Sequence, residues 1–194
     1  MKKEIQISKN KPYLLFMLII FSMALWSLQF IFPAVNFHQI ESHSGLLDFD
    51  FRELIKSRYL NIFVGYLIFL INILILYKIN SRFQIVENSG YMVIWLYLFV
   101  TCIDYRYLFL SNELISSTFF FLTIFIFLRS LYKKPANTDM FYAGLLMFIA
   151  SLMYVANLPL IIFIILSLAF YKIFYWRDYA NLFLGIISGA IITG

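Results

Sequence analysis

The sequence predicts an all-α, polytopic transmembrane helical bundle of about seven spans with a cytoplasmic N-terminus. Three observations predict it. Of 194 residues, 63% are hydrophobic and only 13% charged, where a soluble domain carries about 25% charged residues. The mean hydropathy is +0.87. The apolar residues fall into a succession of runs separated by short polar connections, and the basic residues gather in alternate connections.

The stretch NLPLIIFIILSLAFYKIFYW (157–176) sets the pattern: an Asn-Leu-Pro opening, an unbroken apolar run, then Lys172 and an aromatic exit. Aromatic rings suit the headgroup level, so this reads as a spanning helix with an interfacial stop. Counting outward from it gives single-domain spans at 12–32, 59–77, 91–110, 114–131, 140–155, 158–175 and 180–193.

Lys2, Lys3, Lys9 and Lys11 precede the first run, which is longer than the apolar region of a signal peptide. It is followed by FPAVNF rather than a small-x-small cleavage pattern, so an uncleaved span is expected. The connection 33–57 is the longest. Its second half, LLDFDFRELIKSRY, sets Leu47, Phe51, Leu54 and Ile55 on one helical stripe with Asp48, Arg52 and Lys56 off it. A helix lying on the membrane surface fits that pattern.

The run from Tyr91 meets Asp104 after little more than a dozen apolar residues. That length covers only about 20 Å of a hydrocarbon core roughly 30 Å thick, so the helix is expected to continue through Asp104 and Arg106 towards Leu110. Ser111-Asn112-Glu113 reads as a helix start with an Asn cap and a first-turn acid. Lys133-Lys134-Pro135 ends the fourth span. The fifth and sixth are joined by so short a connection that they form an antiparallel hairpin, with Ala143, Gly144, Ala150 and Ser151 permitting close approach. Gly185, Ser188 and Gly189 give the last run the same property.

The N-terminus and the connections after spans two, four and six hold most of the Lys and Arg; the opposite side holds Arg52, Lys56, Arg58 and Arg106. The positive-inside rule then puts the N-terminus in the cytoplasm and the long first connection outside. Scattered in this way, the net charge of +5 is an orientation signal and not a nucleic-acid footprint. One cysteine, Cys102, excludes an internal disulfide and a Cys-based zinc site.

No phosphate-binding glycine loop, His-Glu-x-x-His or nucleophile elbow occurs. Candidate chemistry therefore gathers on the outer side, where Glu41, Asp48, Asp50, Glu53, Asp104 and Glu113 lie. Asp48-Phe49-Asp50 is a D-x-D: in extended chain both carboxylates share a side and hold a divalent metal, or a pyrophosphate through it. On a helix they diverge by about 200° and form a solvated polar face. His38, Glu41 and His43 match no standard helical ligand spacing. Asp104 and Arg106 either face a bundle interior or sit at the interface with Arg106 reaching outward. Asn72 reads as a side chain for an interhelical hydrogen bond and Asn157 as a helix cap.

The segments FYAGLL (141–146), Ala150-Ser151-Leu152 and Tyr175-Trp176-Arg177-Asp178, with Gly185, resemble a family of uncharacterised polytopic bacterial inner-membrane proteins over the C-terminal third. Members of that family are longer, so the resemblance implies a short or truncated version. The layout of a first span, a long acidic outer connection and then paired spans is more distantly similar to multi-spanning glycosyltransferases with the C-type fold. That resemblance implies the N-terminal part of a transferase using a polyprenyl-phosphate-linked sugar at the outer face. Asp48 or Asp50 would be the general base, with Glu41 in reserve; Arg52, Arg58, Asp104 and Arg106 would bind substrate. No cofactor beyond the D-x-D metal is implied. The alternative is a non-catalytic membrane scaffold or envelope-assembly component; a transporter fits least, because broken helix pairs and mid-bilayer charges are lacking.

Overall fold

The structure is a computed structural model and describes residues 12–31, 55, 57–85, 91–103, 109–132, 137–170 and 176–193. Among the described residues the chain is all-helical, with no strand. The helices are α1 (Pro12–Ile31), α2 (Arg58–Phe83), α3 (Met92–Ile103), α4 (Asn112–Tyr132), α5 (Asn137–Met153), α6 (Leu158–Phe170) and α7 (Trp176–Thr193), with a 3₁₀ turn at Val155–Asn157 before α6.

Several helices take in polar residues that hydropathy alone assigns to connections, and the reasons are local. Helix α5 starts at Asn137 with Asp139 in its first turn, and α7 at Trp176 with Asp178 in its first turn. An acid there is favoured by the unpaired N–H groups and the positive end of the helix dipole. Helix α2 runs on through Lys78 and Arg82 until Gln84, whose left-handed backbone (φ 48°) turns its N–H back to the Asn80 carbonyl at 2.9 Å. The cap of α4 is Ser111 and not Asn112: Ser111 Oγ accepts the Leu114 N–H at 3.2 Å. Phe109 and Leu110 lie outside any helix, while 104–108 lie outside the described residues. The expected surface helix falls mostly outside them too; of its described members Ile55 and Ser57 are not helical, and Arg58 and Tyr59 open α2.

Side-chain pairings give the direction of each helix. Trp26 Nε1 donates to the Ile62 carbonyl (3.2 Å), and Ser22 Oγ lies 3.3 Å from the Tyr66 hydroxyl, so α1 and α2 are antiparallel. Tyr77 stacks on Tyr91 and Phe69 on Tyr97, which makes α3 antiparallel to α2. Asn72 meets Ser117 and Phe83 meets Phe125, so α4 runs parallel to α2. Ser116 meets Ala150 and Ser130 meets Met140, so α5 returns against α4. The short turn sends α6 back along α5, with Ile164 and Leu168 joining Met147 and Met140 in one apolar cluster. Gly144 lies against Leu182, and Gly189 against Phe148, so α7 runs parallel to α5. Direction alternates through all seven helices. One end of the bundle therefore collects the starts of α2, α4 and α6, and is called the Arg58 end; the other is the Arg82 end.

Helix α4 is the centre. None of its described large apolar side chains is exposed, whereas α1, α2, α3, α6 and α7 turn Phe16, Phe63, Phe99, Phe163 and Ile191 outward, each more than half exposed. On one flank Leu18, Trp26, Ile62, Phe69, Ile94 and Leu98 pack with Leu114 of α4; on the other Met140, Met147, Ile164, Leu168 and Leu182 pack with Phe127. The close approach of α5 that the hairpin reading assigns to α6 is made chiefly to α7 and α4, while Ala143 and Gly144 also line a recess with Ile161 and Ile164 of α6. Gly144 takes the backbone of α7, and the Ala150 carbonyl accepts Ser116 Oγ of α4 at 2.6 Å. Helix α2 and the Asn112–Leu131 part of α4 are long and apolar enough to cross a membrane.

Candidate functional site

The Arg58 end is organised around the first two turns of α2. Asn61, one turn after Arg58, is fully buried, and its Oδ1 accepts the Leu110 N–H at 2.9 Å. One turn further, Gly65 lies beneath the Phe109–Leu110 peptide; a Cβ there would stand 2.9 Å from the Leu110 nitrogen and 3.0 Å from the Phe109 carbonyl carbon. Phe109, Leu110 and Ser111 are buried as a result. Phe109 and Leu110 are therefore pinned to α2 close to Arg58, which is half-buried.

Of the residues singled out from the sequence, Arg58 is described and opens α2. Asp48, Asp50, Arg52, Asp104 and Arg106 lie outside the described residues, as do His38, Glu41 and His43. The D-x-D metal reading falls there with them. Among the described residues no group of three His, Cys, Asp or Glu side chains converges.

Deeper in the bundle, adjacent serines of α4 carry two polar knots. Ser117 Oγ accepts from Asn72 Nδ2 (2.9 Å), which also donates to the Tyr97 hydroxyl (3.1 Å), so α2, α3 and α4 meet at one point. Asn72 makes the interhelical hydrogen bond that the sequence suggests, as a donor. Ser116 Oγ accepts from Asn157 Nδ2 at 2.5 Å and donates to the Ala150 carbonyl. Asn157 thus tethers the α5–α6 turn to α4 through its amide nitrogen. The Ser116-Ser117 pair was the available signal: two hydroxyls in an apolar helix need acceptors. At the Arg82 end, Arg129 grips Asp139 with both Nε (3.2 Å) and Nη2, joining the last turn of α4 to the first of α5.

The described basic residues divide unequally. Lys78, Arg82, Arg129 and Arg177 lie at the Arg82 end, and Arg58 lies at the other. In comparisons with known proteins, no family model, curated protein or solved structure matches the chain.

Proposed function

We propose that the chain is a multi-pass protein of the bacterial cytoplasmic membrane with its Arg82 end inside. It works at the outer face as part of a transferase that uses a polyprenyl-phosphate-linked sugar. The membrane reading is supported by the alternation of direction through seven helices, by the outward-facing apolar side chains of the peripheral helices, and by the basic residues at one end. The observation that carries the outer-face reading is the Asn61–Leu110 bond. It holds Leu110, six residues after Asp104 in the chain, against the first turns of α2 near Arg58, and this is what supports reading Asp104 and Arg106 with the first connection at one face.

In this reading Asp48 or Asp50 removes the proton from an acceptor hydroxyl, and Arg52, Arg58 and Arg106 bind the donor phosphate through charge-assisted hydrogen bonds. Asp104 orients the acceptor. Extended chain across Asp48 and Asp50 would add a divalent ion to the phosphate site.

A second reading, a non-catalytic scaffold, is favoured by the polar side chains within the bundle. Asn72, Ser116, Ser117 and Asn157 are engaged with one another or with Tyr97 and the Ala150 carbonyl, and Arg129 with Asp139. Those contacts hold helices together and leave the outer connection as a docking surface.

Orientation is tested by cysteine labelling in a Cys102→Ser background. An external reagent should modify a cysteine at Ser44 and spare one at Thr138, and the reverse pattern overturns the topology. Activity is tested by transfer of radiolabelled sugar from the lipid carrier in membranes holding the full-length protein. Asp48→Asn, Asp50→Asn or Asp104→Asn should cost roughly 10²–10⁴-fold if it removes the base. Wild-type rates in all three variants sink the assignment. No consumption of lipid-linked sugar by the wild type leaves the scaffold.

A further inference from the structure

The exposed face of α2 is one continuous strip. Leu60, Phe63, Leu67, Ile71 and Leu74 are exposed apolar residues along it, with Tyr59 exposed beside them, and the cations Lys78 and Arg82 are exposed further along the same side. At 100° per residue those five and the two cations fall within about 100° of one another. Helix α2 has 26 residues, so it is about 39 Å long, and Lys78 and Arg82 stand about 30–36 Å along the axis from Arg58. That separation matches the hydrocarbon thickness of a bilayer. With Arg58 in one headgroup layer, the two cations reach the other.

The cations converge on a single ring of α4. Lys78 Nζ lies 5.5 Å from the Phe125 centroid and Arg82 Cζ 5.8 Å from it, with Phe83 5.9 Å from the same guanidinium. Like charges at i, i+4 repel; the ring face and the carboxyl end of α2 offset this in part. Neither cation forms an ion pair among the described residues. Of the described acids at this end, Asp139 is held by Arg129, and Asp178 is buried on α7. Two positive groups, fixed over a ring and opening toward the surface, are left with an anion to bind.

We propose that Lys78 and Arg82 bind the phosphate of an anionic phospholipid in the inner leaflet, whose acyl chain lies along Leu74, Ile71 and Leu67. Basic recesses between helices at the cytoplasmic surface are suited to such headgroups. The apolar strip running directly from the cations favours a lipid over free phosphate, which has no use for it. The proposal rests on the membrane reading but not on the transferase reading.

The test uses the full chain in nanodiscs and in zwitterionic detergent, with phosphatidylglycerol against phosphatidylcholine as probes and native mass spectrometry plus thermal unfolding as readouts. Phosphatidylglycerol should bind preferentially and raise the unfolding temperature. Lys78→Gln and Arg82→Gln should each weaken it about fivefold and the double variant about 25-fold, at about one kcal/mol per cation. Arg82→Lys should retain the preference. Arg177→Gln, which removes a cation at the same end on α7, should leave it unchanged. Unfolding in zwitterionic detergent alone checks that each variant folds. Equal binding of the two lipids, or an undiminished preference in Lys78→Gln and Arg82→Gln, overturns the site. Equal stabilisation by millimolar inorganic phosphate overturns the lipid assignment. The cysteine-labelling pattern is read separately, so failure of the membrane topology and failure of this site give different results.

Discussion

Gly185 of α7 sits against the carbonyl oxygen of Phe141 on α5, so close that a Cβ at Gly185 would collide with it. The relation is reciprocal. A Cβ at Gly144 of α5 would strike the Leu182 carbonyl of α7. Two parallel helices are interlocked backbone to backbone, where dispersion contacts are densest and no side-chain entropy is lost.

Alanine at Gly144 or Gly185 should therefore destabilise the bundle. Helix propensity favours the change by up to about 1 kcal/mol. The new methyl, however, meets backbone that cannot rotate away, and overpacking costs about 1–3 kcal/mol. Gly189→Ala should be milder, because the atoms it meets belong to the Phe148 ring. Unfolding of the full chain in micelles by denaturing detergent gives the order. Gly144→Ala and Gly185→Ala as stable as wild type would contradict the interlock.

Which helix those glycines serve was not legible in the sequence. Small residues announce that a backbone approaches, but they carry no address, and the short turn before α6 points to the wrong neighbour. Asn72 was legible, because an amide in the middle of an apolar helix must find a partner on another helix; Asn61, on the same helix, carries the same signal and was not singled out. The sequence points to Asn112 as the cap of α4, and the Leu114 N–H instead picks out Ser111, one residue earlier. The alternation of direction followed from the alternation of basic connections. The acids that the sequence assigns to the outer side, Asp48, Asp50 and Asp104 among them, lie outside the described residues.

Arg129 and Asp139 should show a measurable coupling. The pair is bidentate, and the Asp139 side chain is 11% exposed against 36% for Arg129. Exposed pairs are worth about 0.2–1 kcal/mol, and a contact of this kind should reach about 1–2 kcal/mol in a double-mutant cycle. Asp139→Ala should cost more than Arg129→Ala, since Asp139 also serves the N-terminus of α5. Equal losses with no coupling would reduce the pair to a surface contact.

Asn72→Ala removes the contacts to Tyr97 and Ser117 about 21 Å along α2, near the middle of the bundle. On the membrane reading proposed above, where interhelical hydrogen bonds average about 0.6 kcal/mol and reach about 1.7, the loss should stay below about 2 kcal/mol. Ser117→Ala in the Asn72→Ala background should then add less than it does alone. Full additivity in the same unfolding assay would show that the two side chains do not act together.

The last prediction concerns the pin at the Arg58 end. Asn61 Oδ1 satisfies the Leu110 N–H in a buried position, so Asn61→Ala leaves that donor unpaired. An orphaned buried group costs about 1–3 kcal/mol, and the chain can recover it by lifting Leu110 away from α2 into water. Gly65→Ala should act on the same joint by a different route. Its methyl enters the space held by the Phe109–Leu110 peptide, and a few tenths of an ångström of displacement would lengthen the bond to Asn61. Both variants should therefore speed exchange of the Leu110 amide by at least about tenfold while leaving α4 beyond Leu114 protected, since local opening is read residue by residue. Hydrogen exchange of the full chain in micelles makes the comparison. Unchanged protection of Leu110 in both variants would mean that Asn61 and Gly65 do not fix this connection.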